Sequence, residues 1–410
     1  MTITRPMDWR LALLRQNPFP DTPPQRPEEA VWAGLPQLKA QFDALFTESL
    51  TTSTTQVVLN QGAWGSGKTH AAIHFGIPDR LPQVEGRQIE SVWILYVRTP
   101  KDPSQADVIL YRDIVETTRF SRLRRVVRDL IVENEEGETL EILQDAVGSE
   151  ALGKALWLLG MERSKTGQLR LFGQADESES GEWQRMLEAY FFSQYTKSDL
   201  RRLGLSRGID NSQDRFRILG GILQCLVGFA STEEVERHSR VMLWIDEMED
   251  LIYFTSRQYR PFTQGLRDLI DRLPGYLTLL MNFTLAAPEA FEDITVVLGD
   301  ALMDRITHQV YFQEPDQDEA HEYVCALLHL FRTEDPVTRG LPITYPFTED
   351  ALRFLIAALS TRTPRDLNQR FGDVVSKALQ RGVITAPGKG IISREFVSSL
   401  EQERLELDMG

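Results

Sequence analysis

One octapeptide constrains this chain more than any other stretch. Residues 62–69, GAWGSGKT, match the spacing GxxxxGK[ST]. A β-branched run at residues 56–60 precedes them and a helix-prone segment at residues 70–75 follows, so the local order is strand, glycine loop, helix. Gly62, Gly65 and Gly67 let backbone N–H groups curl around an anion at a helix N-terminus, the positive end of its dipole. Beside them Ser66 completes the loop, Lys68 supplies a point charge for phosphate oxygens, and the Thr69 hydroxyl is a ligand for Mg2+. Trp64 occupies a variable position of the loop and reads as packing or shielding.

Three more buried strands follow, at residues 91–97 (SVWILYV), 241–245 (VMLWI) and 277–285 (LTLLMNFTL). Helical patterns separate them, which predicts an α/β fold with a parallel sheet. About 140 residues lie between the second and third strands, where a parallel crossover needs only a dozen or more. This insertion, about 101–240, is expected to be helical: Leu123, Val126, Val127 and Leu130 form an i, i+3, i+4, i+7 stripe, and residues 183–195 are amphipathic. The acidic, Ser/Gly-rich residues 174–182 read as an exposed loop. Residues 300–313 read as a helix end and an edge strand; from Asp316 onward the pattern is wholly helical. The expected layout is a proline-rich extended arm (1–37), a nucleotide-binding core (38–315) and a small all-α lid with a tail (316–410).

The third strand ends in two carboxylates, Asp246 and Glu247. At the C-terminal edge of a strand both face the crevice where α/β sheets bind ligands. Asp246 is then the candidate to hold Mg2+ through water, and Glu247 the candidate base for an attacking water. Glu249 and Asp250 read as solvated charges at a helix start.

Together these features resemble the AAA+ ATPases, in the initiator and clamp-loader-like branch that includes origin-recognition ATPases and ATPase regulators of transposition. The loop GAWGSGKT, the strand ending WIDE, the polar strand end MNFT and two arginine contexts carry the likeness over most of residues 30–385; the insertion is not covered. The resemblance implies ATP and Mg2+ as ligands, and hydrolysis at the subunit interfaces of a homo-oligomer. It implies that Asn282 positions the attacking water, with Thr284 as its rival. It implies Arg305, in LMDRI, as a finger offered to the neighbouring subunit's nucleotide, and Arg365, in TPRDLN, as the arginine that senses the γ-phosphate. Arg362 and Arg370 lie close enough to keep that last assignment open. About thirty residues follow Gln380, short of the winged-helix domain usual in origin-recognition relatives, so sequence-specific origin binding by this chain alone is not expected.

Forty-five Lys and Arg against sixty Asp and Glu give a net charge of −15, which excludes coating of nucleic acid by bulk charge. Contact with duplex DNA would have to be local, through Arg122, Arg124, Arg125 and Arg128, or through a second stretch holding Lys197, Arg201, Arg202, Arg207, Arg215 and Arg217. Glu133, Glu135, Glu136, Glu138 and Glu141 follow the first cluster, so a self-paired surface is the competing reading. The expected role is therefore a DNA-associated regulatory or assembly ATPase of replication, transposition or mobile-DNA defence. The alternative is a nucleotide-driven switch or remodeller of a bacterial conflict system, whose insertion binds a protein effector. A scaffold that binds ATP without turnover would have no use for Glu247.

Cys225 and Cys325 lack CxxC spacing and support neither a disulfide framework nor a zinc site. His70 and His74 lack the intervening Glu of a zinc helix. The first ten residues do not have a signal-peptide layout. The longest uncharged apolar stretch, residues 276–287, falls short of the ~20 residues of a membrane span, so a cytoplasmic protein without membrane contact is expected.

Overall fold

The computed structural model describes residues 7–85, 92–134, 136–163, 168–171, 177–227, 240–285, 291–334 and 340–408. They fall into two compact units: a sheet unit (43–61 and 75–310) and a helical unit (1–42, 62–74 and 311–410).

Five strands form the main sheet: β1 (Gln56–Gly62), β2 (Val92–Arg98), β5 (Arg240–Asp246), β6 (Leu277–Thr284) and β7 (His308–Phe312), in the order β2-β5-β6-β1-β7. The sheet is central and parallel. A small antiparallel pair, β3 (Met161–Arg163) and β4 (Leu169–Leu171), stands apart from it. β5 lies between β2 and β6, with Leu243 opposite both Leu95 and Leu279. Every residue of β5 is buried, as are all but the last of β6, because central parallel strands are covered on both faces and so read as continuous apolar runs. β7, at the expected edge, alternates instead, with Val310 buried between more exposed neighbours.

Helices α1 (Pro36–Thr51) and α2 (Lys68–His74) flank β1 in the chain. The insertion is helical, as its periodicity predicts: α3 (Ala106–Thr118), α4 (Phe120–Asn134), α5 (Glu136–Val147), α6 (Glu150–Trp157), α7 (Glu177–Phe191), α8 (Lys197–Leu203) and α9 (Ser212–Val227). Then come α10 (Ser256–Arg272), α11 (Phe291–Leu298) and α12 (Asp300–Met303). The stripe Leu123, Val126, Val127 and Leu130 is buried in one cluster with Leu95, Leu243 and Leu279 of the sheet. The insertion therefore shares a core with the sheet and is not a separate bead. One close approach depends on a glycine: a Cβ at Gly265 of α10 would lie 1.9 Å from the Phe216 ring of α9. The loop expected over 174–182 is corrected in its second half, since α7 starts at Glu177. The buried Trp183, Met186, Leu187 and Tyr190 give that segment an apolar stripe, and packing overrides its polar composition. Residues 174–176, like Glu135 and Ser91, lie outside the described residues.

In the helical unit, α13 (Gln317–Leu330), α14 (Glu349–Ala357), α15 (Pro364–Gln380) and α16 (Arg394–Asp408) surround a second core. Their starts are capped by side chains: Asp316 in a capping box with Glu319, Thr348 on Ala351, and Thr363 on Asp366 ahead of Pro364. The N-terminal arm has little regular structure, yet it is built into this core. Leu14 and Phe19 are fully buried, the Phe19 ring meets Phe371 at 5.6 Å, and the Arg15 amide donates to the Phe331 carbonyl at 2.7 Å. Among the described residues no helix is long and apolar enough to cross a membrane.

Candidate functional site

The glycine loop belongs to the helical unit, and its backbone meets the demand the motif makes. Gly65 (φ +82°) and Gly67 (φ +102°) occupy the left-handed region, where a side chain would be strained. A Cβ at Gly65 would also come within 2.9 Å of Arg365 Cβ and 3.0 Å of Thr363 Oγ1. Lys68, the first residue of α2, curls its ammonium back over the loop and donates to the carbonyls of Gly62 (2.8 Å) and Ala63 (2.9 Å). Farther along α2, His70 and His74 face the carbonyls of Val31 (2.8 Å) and Ala30 (2.9 Å). Both imidazoles are thus bound to the arm.

The first turn of α15 closes onto this loop. The Arg365 amide donates to the Gly65 carbonyl at 3.3 Å, and its guanidinium lies 3.7 Å from the centre of the Trp64 ring. Among the described residues, the buried Arg365 Nη1 has no acceptor. The other two arginines of this stretch are committed elsewhere: Arg362 pairs with Glu314 at 3.2 Å, and Arg370 with Glu401 and, at 3.1 Å, with Asp373. Of the three, Arg365 alone meets the glycine loop and, among the described residues, has no acidic partner.

In the sheet unit, Asp246 ends β5 and is only 2% exposed. Both of its oxygens accept side-chain hydrogen bonds: Oδ1 from Asn282 Nδ2 (2.9 Å) and Oδ2 from the Tyr96 hydroxyl (2.8 Å). The chain of bonds extends both ways. Asn60 Nδ2 donates to Asn282 Oδ1 at 2.9 Å, and Arg98 Nε donates to the Tyr96 oxygen at 3.1 Å. β2, β5, β6 and β1 are therefore linked side by side through polar groups near their C-terminal ends. Burial, with the Asp246 carboxylate beside it, pushes the Tyr96 phenol well above its ordinary value, so it remains a donor. Tyr96, Arg98 and Asn60 were not singled out from the sequence; the available signal was a polar residue near the end of each apolar run. The bond to Asp246 comes from Asn282, while Thr284 is held through its amide by Glu249 (3.0 Å). Glu249 is thus a strand clamp and not merely a solvated helix-start charge.

Glu247 has φ +60° and ψ 35°, a left-handed conformation that costs a residue with a Cβ about 1–2 kcal/mol. The turn breaks the alternation that would carry Asp246 and Glu247 to opposite faces. Burial raises the Glu247 carboxyl above its ordinary value; Arg98 opposes that shift, and Asp246, Asp250 and Glu249 add to it.

Arg305 follows α12 on the same unit. Its Nε and Nη2 donate to Asp271 of α10 at 2.8–3.0 Å, and its Nη1 donates to the Ala301 carbonyl at 2.6 Å.

Among the described residues, five of the ten basic residues singled out in the insertion have an acidic partner. Arg124 is corrected outright: it is 1% exposed and lies off any cationic face. It donates to the carbonyls of Leu159 (3.0 Å) and Met161 (3.1 Å) beside Glu162. Burial pushes it down to about 10, so it is still charged at neutral pH. Arg128 pairs with Asp129, Arg202 with Glu182, Arg207 with Asp214, and Arg215 with Asp107. Arg125, Lys197 and Arg201 form no ion pair among the described residues.

No protein-family model and no curated protein matches the chain. It is similar in fold to solved structures at low identity. Against Drosophila ORC bound to DNA, identity is 11% over 99% of this chain and 69% of that one, with a TM-score of 0.46. Against a Walker-type ATPase of Pyrococcus abyssi the values are 12%, 96% and 78%, with a TM-score of 0.44. Against a chain of the E. coli MS115-1 HORMA:CdnC:Trip13 complex they are 10%, 93% and 93%, with a TM-score of 0.40. The likeness is one of fold alone.

Proposed function

We propose that this chain, whose fold is of the AAA+ ATPase kind, binds ATP and hydrolyses it at an interface between like subunits. The observation that carries the reading is the cradle in the helical unit. The left-handed glycines Gly65 and Gly67, the ammonium of Lys68 and a guanidinium with a buried donor lacking an acceptor converge there. Donors and positive charge without a carboxylate partner on Arg365 suit a polyphosphate.

Asp246, Glu247 and Asn282 are proposed to serve the hydrolysis, as the order of the motifs along the chain implies. A cation here would be bound largely through phosphate oxygens. Thr69 and Asp246 are the residues to complete its shell, and Mg2+ would there neutralise charge on the transferring phosphoryl group. Asp246 is presented in one orientation because both its oxygens are held. Asn282 has its oxygen turned to Asn60 and an amide hydrogen on Asp246, and is proposed to position the attacking water. Glu247, with its carboxyl raised toward neutrality, accepts the proton of that water. Arg305 completes the site of a neighbouring subunit. Its half-exposed pair with Asp271 is of a kind worth about 0.2–1 kcal/mol, so releasing it costs little.

Turnover and nucleotide binding test this reading together. Glu247→Gln should bind ATP like the unaltered protein while hydrolysing it at least a hundredfold more slowly, and Lys68→Ala should lose binding. Unchanged turnover in the first, or unchanged binding in the second, would overturn it.

Two objects for the cycle follow. The DNA-associated reading requires Arg125, Lys197 and Arg201, with Arg122, to meet phosphates. The burial of Arg124 and the pairing of Arg128, Arg202, Arg207 and Arg215 favour the second reading, a nucleotide-driven switch acting on a protein effector. Duplex binding by Glu247→Gln with ATP, across a salt titration, separates them. Steeply salt-dependent binding supports the first, and no binding at low salt supports the second.

A further inference from the structure

We propose that Trp64 is a positioning residue for Arg365: its indole is a platform that presents the guanidinium's edge to the terminal phosphate of a nucleoside triphosphate on the glycine loop. The inference rests on the reading of Arg365 as a γ-phosphate contact.

Trp64 is 69% exposed, whereas tryptophan is usually largely buried. Core packing therefore does not account for an indole here. What its ring does meet is the guanidinium, 3.7 Å from the ring centre. A guanidinium stacked on an aromatic ring uses its flat face, while its five N–H groups point outward in the plane. Stacking and phosphate binding therefore do not compete. Among the described residues the buried Nη1 has no acceptor, an unfavourable arrangement that a bound oxyanion would relieve.

The surroundings keep that edge available. The adjacent acid, Asp366, accepts from the hydroxyls of Thr363 (2.6 Å) and Thr361 (2.8 Å) and does not capture Arg365. The bond from the Arg365 amide to the Gly65 carbonyl, with the close approach at Gly65, fixes the first turn of α15 against the loop that carries Trp64. The N-terminal end of this 17-residue helix adds its own positive field. Without the indole the guanidinium keeps its charge but regains rotamer freedom, so the loss falls on ligands that reach it. A triphosphate reaches it and a diphosphate does not.

The test is calorimetric titration of ATP and of ADP into full-length protein carrying Glu247→Gln, which prevents turnover, with Trp64→Ala, Trp64→Phe, Arg365→Ala and the Trp64→Ala/Arg365→Ala double variant. Trp64→Ala should weaken ATP about fivefold, the scale of a partly exposed cation–π contact, and leave ADP within about twofold. Trp64→Phe should retain most of the ATP affinity. The double variant should bind ATP no more weakly than Arg365→Ala alone, because the platform acts only through the guanidinium. If Arg365→Ala itself leaves ATP and ADP unchanged, the reading of Arg365 falls. If Arg365→Ala weakens ATP but Trp64→Ala does not, or the two losses simply add, only the platform is overturned. Equal losses of ATP and ADP in Trp64→Ala would also overturn it, since they would mark a damaged loop.

Discussion

Asn282→Asp changes one atom's chemistry at nearly constant volume and turns a donor into an acceptor. The Asn282 Nδ2 to Asp246 Oδ1 bond is 2.9 Å long, and Asp246 is 2% exposed. Two carboxylates at that separation repel by about 6 kcal/mol at an effective dielectric of about 20. Keeping a proton on the new Asp at pH 7, against an ordinary pKa of about 3.9, costs about 4 kcal/mol. Protonation is the cheaper route, and it restores a donor to Asp246. The variant's folded pKa is thus raised, so the penalty is absent below the unfolded pKa and grows by about 1.4 kcal/mol for each pH unit above it. Denaturant unfolding should find Asn282→Asp less stable by about 4 kcal/mol at pH 7 and by about 1.5 kcal/mol at pH 5, with the slope m unchanged. A loss of the same size at both pH values, or none at pH 7, would refute the buried bond on which this reasoning stands.

Arg98 opposes the rise in the Glu247 carboxyl, so Arg98→Met should raise that pKa further. A base works deprotonated, so the acid limb of the kcat profile should move to higher pH; a limb that stays in place or moves down contradicts the pairing. Tyr96→Phe removes a side-chain donor to the buried Asp246 and should cost about 1.5–3 kcal/mol of stability, read from the same unfolding curves. Arg124→Met removes a buried guanidinium from beside the buried Glu162 and should destabilise by about 3–5 kcal/mol without changing the salt dependence of any DNA binding; a change in that slope would return Arg124 to the surface. For Arg305→Ala, ATP turnover at assembled concentrations should fall at least tenfold with ATP affinity retained, and turnover at the unaltered rate would place the finger elsewhere.

The glycine loop, the central strands and the helical character of the insertion were all legible in the order of residues. Each is written in local terms: left-handed backbone at Gly65 and Gly67 needs glycine, and a strand buried on both faces needs an unbroken apolar run. The sequence also named Asp246, because a carboxylate closing such a run stands out, whereas Asn282 came from the family resemblance of its strand. Their partners were set by the fold. Tyr96 is 150 residues from Asp246, and Asn60 is 222 residues from Asn282; no local period reaches across such separations. What sets Arg365 apart from Arg362 and Arg370 is likewise tertiary: its amide meets the Gly65 carbonyl, while the other two pair with Glu314 and with Glu401 and Asp373. Arg124 makes the same point from the other side. Its place beside an apolar stripe suggested a cationic face, but helical periodicity fixes an angle around the axis and says nothing of what covers it. Here the carbonyls of Leu159 and Met161 do.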